Sequence, residues 1–100
     1  MNPVQYNIDT IKRLCRQHKV KKLFVFGSVL SASFNGESDI DFIVDFNAMD
    51  VNIYADNYFD FKFSLEDLLC RPVDMVEEKT IRNPYFKKTV DQQKQLIYEA

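Results

Sequence analysis

The chain has 100 residues, 46% of them hydrophobic, and a formal net charge of −2. This length fits one domain spanning residues 1–100. The slightly acidic balance makes a nucleic-acid partner unlikely, since such proteins bind the phosphate backbone through positive charge. No apolar run approaches the ~20 residues of a membrane helix. The two cysteines lack a metal-like spacing and no signal peptide precedes them, so we predict a cytoplasmic protein with reduced thiols and no membrane partner.

The first half of the chain predicts alternating helices and strands. A helix begins at Asn2-Pro3, an N-cap followed by proline, and ends in the cations of residues 19–22. A buried strand over residues 22–26 follows. We expect a short helix over residues 28–34 and a second strand over residues 38–46, where hydrophobic and acidic side chains alternate.

The second half continues the same order. A long helix covers residues 51–69, a short third strand covers residues 73–76, and Asn83-Pro84 opens a last helix. The inner face of that last helix is predicted to consist of Phe86, Val90, Leu96 and Ile97. The whole order predicts an α/β fold with a three-stranded sheet and about four helices.

The long helix carries apolar side chains on two sides. Its main stripe, which we expect to face the sheet, consists of Tyr54, Tyr58, Phe61, Leu65 and Leu68. At about 100° per residue, Phe59 and Phe63 fall on nearly the opposite side. They predict an exposed ridge that could bind a partner protein or form a homodimer. The alternative is a helix that bends or starts late, which would turn Phe59 into the core.

Residues 26–42 read FGSVLSASFNGESDIDF and contain two candidate binding features. Gly27-Ser28 stands where a strand turns into a helix, whose first amide groups can bind an anion; taken alone, the pair is more often only a turn and a cap. Asp39 and Asp41 would point to one side of the second strand with Cα atoms ~6.7 Å apart. They suit a hard cation such as Mg²⁺, or they belong to a solvated strand face.

A third carboxylate completes the set. Asp74 lies in the sequence VDMV of the third strand, and it could also be an edge residue facing water. If the third strand lies beside the second, Asp74 can join Asp39 and Asp41. Three carboxylates and an anion-binding helix start are the parts of a metal-dependent phosphoryl or nucleotidyl transfer site.

This spacing of Gly-Ser, ten residues and Asp-x-Asp resembles the minimal nucleotidyltransferases (MNT domains) of the DNA polymerase β superfamily. LEDLLCRPVDMV at residues 65–76 is similar to a later segment of that family. The resemblance implies a polymerase-β-like nucleotidyltransferase fold with a mixed sheet. It also implies an antitoxin that transfers AMP from ATP, in a Mg²⁺-dependent reaction, to a hydroxyl group of a HEPN-type toxin.

The resemblance also assigns roles to individual residues. Gly27 and Ser28 would hold the triphosphate of the nucleoside triphosphate. Asp39 and Asp41 would bind the catalytic Mg²⁺, while Asp74 would complete the metal site and help deprotonate the incoming hydroxyl.

Two departures from the family pattern leave a second hypothesis open. Ser31 occupies the position at which many members carry an arginine, and Cys70 stands where a helix-ending glycine is common. The alternative is therefore a non-catalytic module of the same fold that neutralises its partner by binding. Binding of Mg²⁺-ATP and an adenylated product would distinguish the two. An antibiotic-modifying nucleotidyltransferase is disfavoured, because 100 residues leave no room for the additional helical domain of those enzymes.

Overall fold

A computed structural model describes residues 2–27 and 39–100 of the chain. The helices and strands, in chain order, are α1 (Pro3–Tyr6), α2 (Ile8–Gln17), β1 (Val20–Phe26), β2 (Ile40–Phe46), α3 (Val51–Leu69), β3 (Val73–Glu77), a 3₁₀ turn (Glu78–Thr80), α4 (Pro84–Gln93) and β4 (Gln95–Glu99). The short helix predicted over residues 28–34 lies outside the described residues. None of the helices in the described ranges is long and apolar enough to cross a membrane.

The predicted first helix is interrupted at Asn7. Its N-cap is Asn2, whose Oδ1 accepts a hydrogen bond of 2.9 Å from the backbone N–H of Gln5. The Asn7 side chain donates a hydrogen bond of 2.8 Å to the carbonyl of Pro3. Asn7 has φ −107° and ψ 20°, outside the helical range, although its backbone N–H still donates a hydrogen bond of 3.1 Å to the same carbonyl. The segment therefore forms α1 and α2 rather than one helix.

The sheet is mixed, as predicted, but has four strands in the order β3-β2-β1-β4 rather than three. β2 pairs in parallel with β3 and antiparallel with β1. The prediction that the last helix continues through Leu96 and Ile97 is wrong. α4 ends at Gln93, and β4 adds to the outer edge of β1, with Leu96 as the partner of Phe24. Pairing with an otherwise open edge overrides the local helical pattern here.

The hydrophobic core lies between one face of the sheet and the helices α2 and α3. Phe42 on β2 and Phe61 on α3 are both fully buried, and they belong to one cluster with Ile11 of α2. α3 begins at Val51 as predicted, so the alternative of a late start is wrong. The predicted second side is confirmed: Phe59 and Phe63 are 47% and 53% exposed.

The opposite face of the sheet is partly covered by α4. Side chains alternate along a strand, so Phe24 and Phe26 point away from the core that holds their neighbours on β1. Phe26 meets Phe86 of α4 edge to face, with ring centroids 6.1 Å apart. At the end of α4, the Lys94 ammonium lies 4.2 Å from the centre of the Phe24 ring. α4 therefore packs over β1 on this second face, which is also the face of Asp41.

Candidate active site

One row of side chains crosses the sheet where β1 ends and where β2 and β3 begin. Phe26 is the partner of Asp41, and Asp41 is the partner of Asp74. The prediction that the third strand lies beside the second is therefore confirmed. Partners on neighbouring strands project to the same face of a sheet. The side chains of Asp41 and Asp74 consequently stand side by side, on the face that does not carry the main core.

Gly27 closes this row at the end of β1, and its backbone lies against the Asp41 carboxylate. Its φ is +85°, and a Cβ atom added there would lie 2.5 Å from Oδ2 of Asp41. The positive φ favours glycine at this position, whereas the Asp41 carboxylate would have to rotate away from an added Cβ. The family resemblance assigns Gly27 to the triphosphate; the close approach seen among the described residues is to Asp41. Ser28, the predicted second phosphate-binding residue, lies outside the described residues.

Asp39, the third predicted carboxylate, lies at the start of β2. β2 begins at Ile40, so Asp39 directly precedes the strand, and it is exposed to solvent. It nevertheless remains close enough to act electrostatically on Asp41. The structure thus pairs two of the three predicted carboxylates directly and places the third at the entrance to β2.

The electrostatics of the site centre on Asp41. Partial burial raises the pKa of its carboxyl above the usual value, and the negative charges of Asp74 and then Asp39 raise that pKa further. Like charges held together in this way disfavour ionisation unless a cation offsets them. The site therefore attracts positive charge.

The same residues indicate what kind of cation fits. Within residues 2–27 and 39–100, no three His, Cys, Asp or Glu side chains form a cluster able to hold a metal ion. A dedicated protein cage is therefore not what these residues provide. Mg²⁺ is commonly held by one or two carboxylates, with waters and substrate phosphates completing its shell. The paired oxygens of Asp41 and Asp74, whose charges need compensation, fit that chemistry.

Two tyrosines of α3 fix β3 beside β2. The Tyr58 hydroxyl donates a hydrogen bond of 2.6 Å to the carbonyl of Met75, and the Tyr54 hydroxyl donates to Glu77. Burial, and then the charges of Glu77 and Asp74, raise the pKa of Tyr58, which keeps it a donor. Both tyrosines belong to the predicted core stripe, whose helical period does not predict these bonds. The available signal was tyrosine at positions where a purely apolar stripe would need no hydroxyl.

We call Asp41 and Asp74 the acidic row. The aromatic pair of Phe26 and Phe86 borders this row on the β1 side. Phe86 is 42% exposed even though its ring contacts Phe26. Phe86 belongs to the predicted inner face of the last helix, but the sequence pattern gives no link between Phe86 and the site. The row therefore has an apolar wall on one side and the open β3 edge, with exposed Asp74, on the other.

Comparison with known proteins gives matches over nearly the whole chain. The family described as polymerase beta, nucleotidyltransferase matches residues 9–100. A protein of Methanocaldococcus jannaschii assigned as a protein adenylyltransferase is 33% identical over 99 residues, which cover 91% of this chain and 96% of the relative.

Solved structures agree with these matches. A chain assigned as a minimal nucleotidyltransferase superposes with a TM-score of 0.75 at 26% identity, covering 95% of each chain. The complex of a tri-AMPylated HEPN toxin of Shewanella oneidensis with its MNT antitoxin contains a similar chain, with a TM-score of 0.65 at 23% identity over 96% of this chain and 72% of that one.

Proposed function

Because the chain belongs to the polymerase beta nucleotidyltransferase family and is a nucleotidyltransferase, we propose that it transfers AMP from ATP to a hydroxyl group of a HEPN-type toxin and so acts as an antitoxin. The observation that carries this proposal is the register that sets Asp41 beside Asp74 and against Gly27. The relative assigned as a protein adenylyltransferase supports AMP as the transferred group. The AMPylated toxin complex supports a HEPN partner.

The proposed nucleotide site begins at the end of β1. Gly27 and Ser28 would bind the triphosphate through backbone amides and the serine hydroxyl. Asp41 and Asp74 would hold Mg²⁺ together with the phosphates, and Asp39 at the start of β2 would add its negative charge to the metal site. When bound, the cation would offset the charge that these carboxylates bring together and would polarise the transferred phosphoryl group.

The proposed transfer step uses the open side of the site. The acceptor hydroxyl oxygen attacks the α-phosphorus of ATP, a new oxygen–phosphorus bond forms, and the bond to the oxygen bridging the α- and β-phosphorus atoms breaks. Pyrophosphate leaves, and Asp74 accepts the hydroxyl proton. Asp74 suits this role because it is exposed and is separated from Gly27 by Asp41, so a side chain of another protein can reach it.

We place this reaction in the cytoplasm, within one domain formed by residues 1–100. Both cysteines, Cys15 and Cys70, are free thiols, as a reducing compartment would leave them. ATP and Mg²⁺ are both present there.

The experiment that tests the proposal follows the two ends of ATP separately. The purified chain is incubated with Mg²⁺, a HEPN-type toxin and ATP labelled at either the α- or the γ-phosphate. We expect the toxin to retain the α-label but not the γ-label. Asp41→Asn and Asp74→Asn should each abolish labelling. Asp45→Asn is the matched control. Asp45 lies on the same strand and face as Asp41, but its neighbour in the strand register is Lys22 of β1, away from the acidic row.

The outcomes separate the catalytic and non-catalytic hypotheses. Neutralisation of the toxin without α-label would show a binding module and would overturn the transfer reaction. Retention of the γ-label would mean phosphate transfer instead. Equal loss in Asp45→Asn would indicate general damage to β2 rather than loss of a site residue.

The role of Ser28 has its own test. Ser28→Ala should weaken binding of Mg²⁺-ATP by about 1.5–3 kcal/mol, the value of a hydrogen bond to a charged group. Isothermal titration calorimetry measures this affinity directly. Unchanged affinity would leave Gly27-Ser28 with a structural role only.

A further inference from the structure

The helices α2 and α3 form one layer on the core face of the sheet. They are tied together near the end of α2, where the Asn57 side chain donates a hydrogen bond of 2.7 Å to the carbonyl of His18. The His18 ring also lies 5.5 Å from that of Phe61. Since both helices bury one side in the same core, their outer sides face the same direction, away from the acidic row.

The outer side of α3 is aromatic and acidic. The rings of Phe59 and Phe63 stack on each other with centroids 5.9 Å apart, and both side chains are about half exposed. Asp56 and Asp60 are exposed beside them, one turn apart. We call this set of four residues the α3 ridge.

The outer side of α2 is basic beyond its first turn, where Asp9 lies. Arg13 and Arg16 are both exposed there, three residues apart and thus neighbours on the helix surface. In the part of the chain that the structure describes, none of the ion pairs joins α2 to α3. We call Arg13 and Arg16 the α2 arginines. A basic strip on α2 and an acidic-aromatic strip on α3 therefore lie on the outer side of the same helical layer.

We propose that the α3 ridge binds the α2 arginines of a second copy of this chain. A two-fold axis that runs between α2 and α3 places α2 of each copy over α3 of the other, so both contacts form at once. Arginine is the suitable partner for such a ridge, because its planar guanidinium stacks on an aromatic face and binds carboxylates in the same contact.

The arrangement leaves the proposed reaction unobstructed. Asp41 and Asp74 lie on the opposite face of the sheet from this helical layer, so two joined copies would expose two separate sites. The inference does not depend on the proposed transfer of AMP, and it can hold for an active or an inactive enzyme.

The first test measures self-association of the full chain without toxin by sedimentation velocity over a range of concentrations. We expect a monomer–dimer equilibrium, and Phe63→Glu should raise its Kd by about 30-fold or more, as for a central interface residue. Val51→Glu is the control, because it adds the same charge to α3 at an apolar side chain that is 82% exposed but belongs to neither strip. Circular dichroism and thermal unfolding check that each variant folds.

The second test uses charge reversal. One variant carries Arg13→Glu with Arg16→Glu, and the other carries Asp56→Arg with Asp60→Arg. Each alone should be monomeric, because like charges would face each other in both contacts. Mixed together, the two variants should form a heterodimer, since every contact again joins opposite charges.

Several results would overturn the proposal. Wild-type chain that stays monomeric at all concentrations would do so, as would reversed-charge variants that still self-associate or that fail to pair when mixed. Monomeric wild type combined with loss of toxin binding in Phe63→Glu would assign the α3 ridge to the toxin instead.

Discussion

Replacing Gly27 with alanine should shift the Asp41 carboxylate while leaving the protein folded. At φ +85° an L-residue is strained, and such strain costs about 1–3 kcal/mol. The new Cβ would also lie 2.5 Å from Oδ2 of Asp41, whereas the Asp41 Cβ would be 3.7 Å away. Only the carboxylate has to move, and it can do so by rotating its side chain. That rotation takes Asp41 out of line with Asp74.

A double-mutant cycle separates strain from contact. Urea unfolding of wild type, Gly27→Ala, Asp41→Ala and the double variant gives four free energies of unfolding. The strain at residue 27 persists in every background, but the contact vanishes when Asp41 lacks its carboxylate. We therefore expect a smaller loss from Gly27→Ala in the Asp41→Ala background, with a coupling energy of about 0.5–3 kcal/mol.

Calorimetry with Mg²⁺-ATP then measures the effect on the site. Gly27→Ala should weaken binding even under conditions in which the variant is fully folded. Strictly additive stabilities together with unchanged affinity for Mg²⁺-ATP would refute the argument that a side chain at residue 27 displaces the Asp41 carboxylate.

Three further predictions address the helix faces, a cap and the charge of the site. Phe61→Ala should destabilise the fold by about 3–5 kcal/mol, whereas Phe63→Ala on the same helix should stay within about 0.5 kcal/mol; similar losses in urea unfolding would contradict the assignment of faces. Cys70 ends α3 with φ +56°, so Cys70→Gly should remove strain and raise the free energy of unfolding by up to about 1 kcal/mol, and a lower value would show that the thiol contributes more than the strain costs. The raised pKa of Asp41 means that its protonated form favours folding, a contribution that is present below the ordinary value of 3.8 and is lost as the pH rises through the raised pKa. Without Mg²⁺, Asp41→Asn should therefore melt above wild type at pH 7 and not at pH 3, and a pH-independent difference would argue against charge as the cause.

Local signals predicted most of the helices and strands. α3 was predicted over residues 51–69 and runs over that range. Its apolar stripe has a strict helical period, and the Asp50 side chain at the N-cap accepts a hydrogen bond of 2.8 Å from the backbone N–H of Asn52. β4 was missed since QLIYE is short and reads equally well as the end of a helix. It becomes a strand through pairing with β1, and the contact of Val25 with Gln95 joins segments far apart in the chain, which is not visible in the local sequence.

The candidate site was predictable to the extent that it follows from strand order. The pairing of Asp41 with Asp74 was expected if β3 lay beside β2, and this condition holds. The start of β2 at Ile40, two residues later than predicted, was not predictable, since alternation sets which face a residue takes but not where a strand begins. The contact between Gly27 and the Asp41 carboxylate depends on the twist and spacing of two strands, which no short motif encodes.

The geometry of the acidic row is maintained by the core on the other side of the sheet. Phe42 and Val44 are fully buried on one face of β2, while Asp41 lies on the opposite face. A slip of one residue would turn the acid into the core and the phenylalanine into the site, so burial of the apolar side chains enforces the register. The carboxylates themselves oppose it through mutual repulsion. It follows that removing their charges leaves the register intact, whereas truncating Phe42 disturbs the site without touching any residue that lines it.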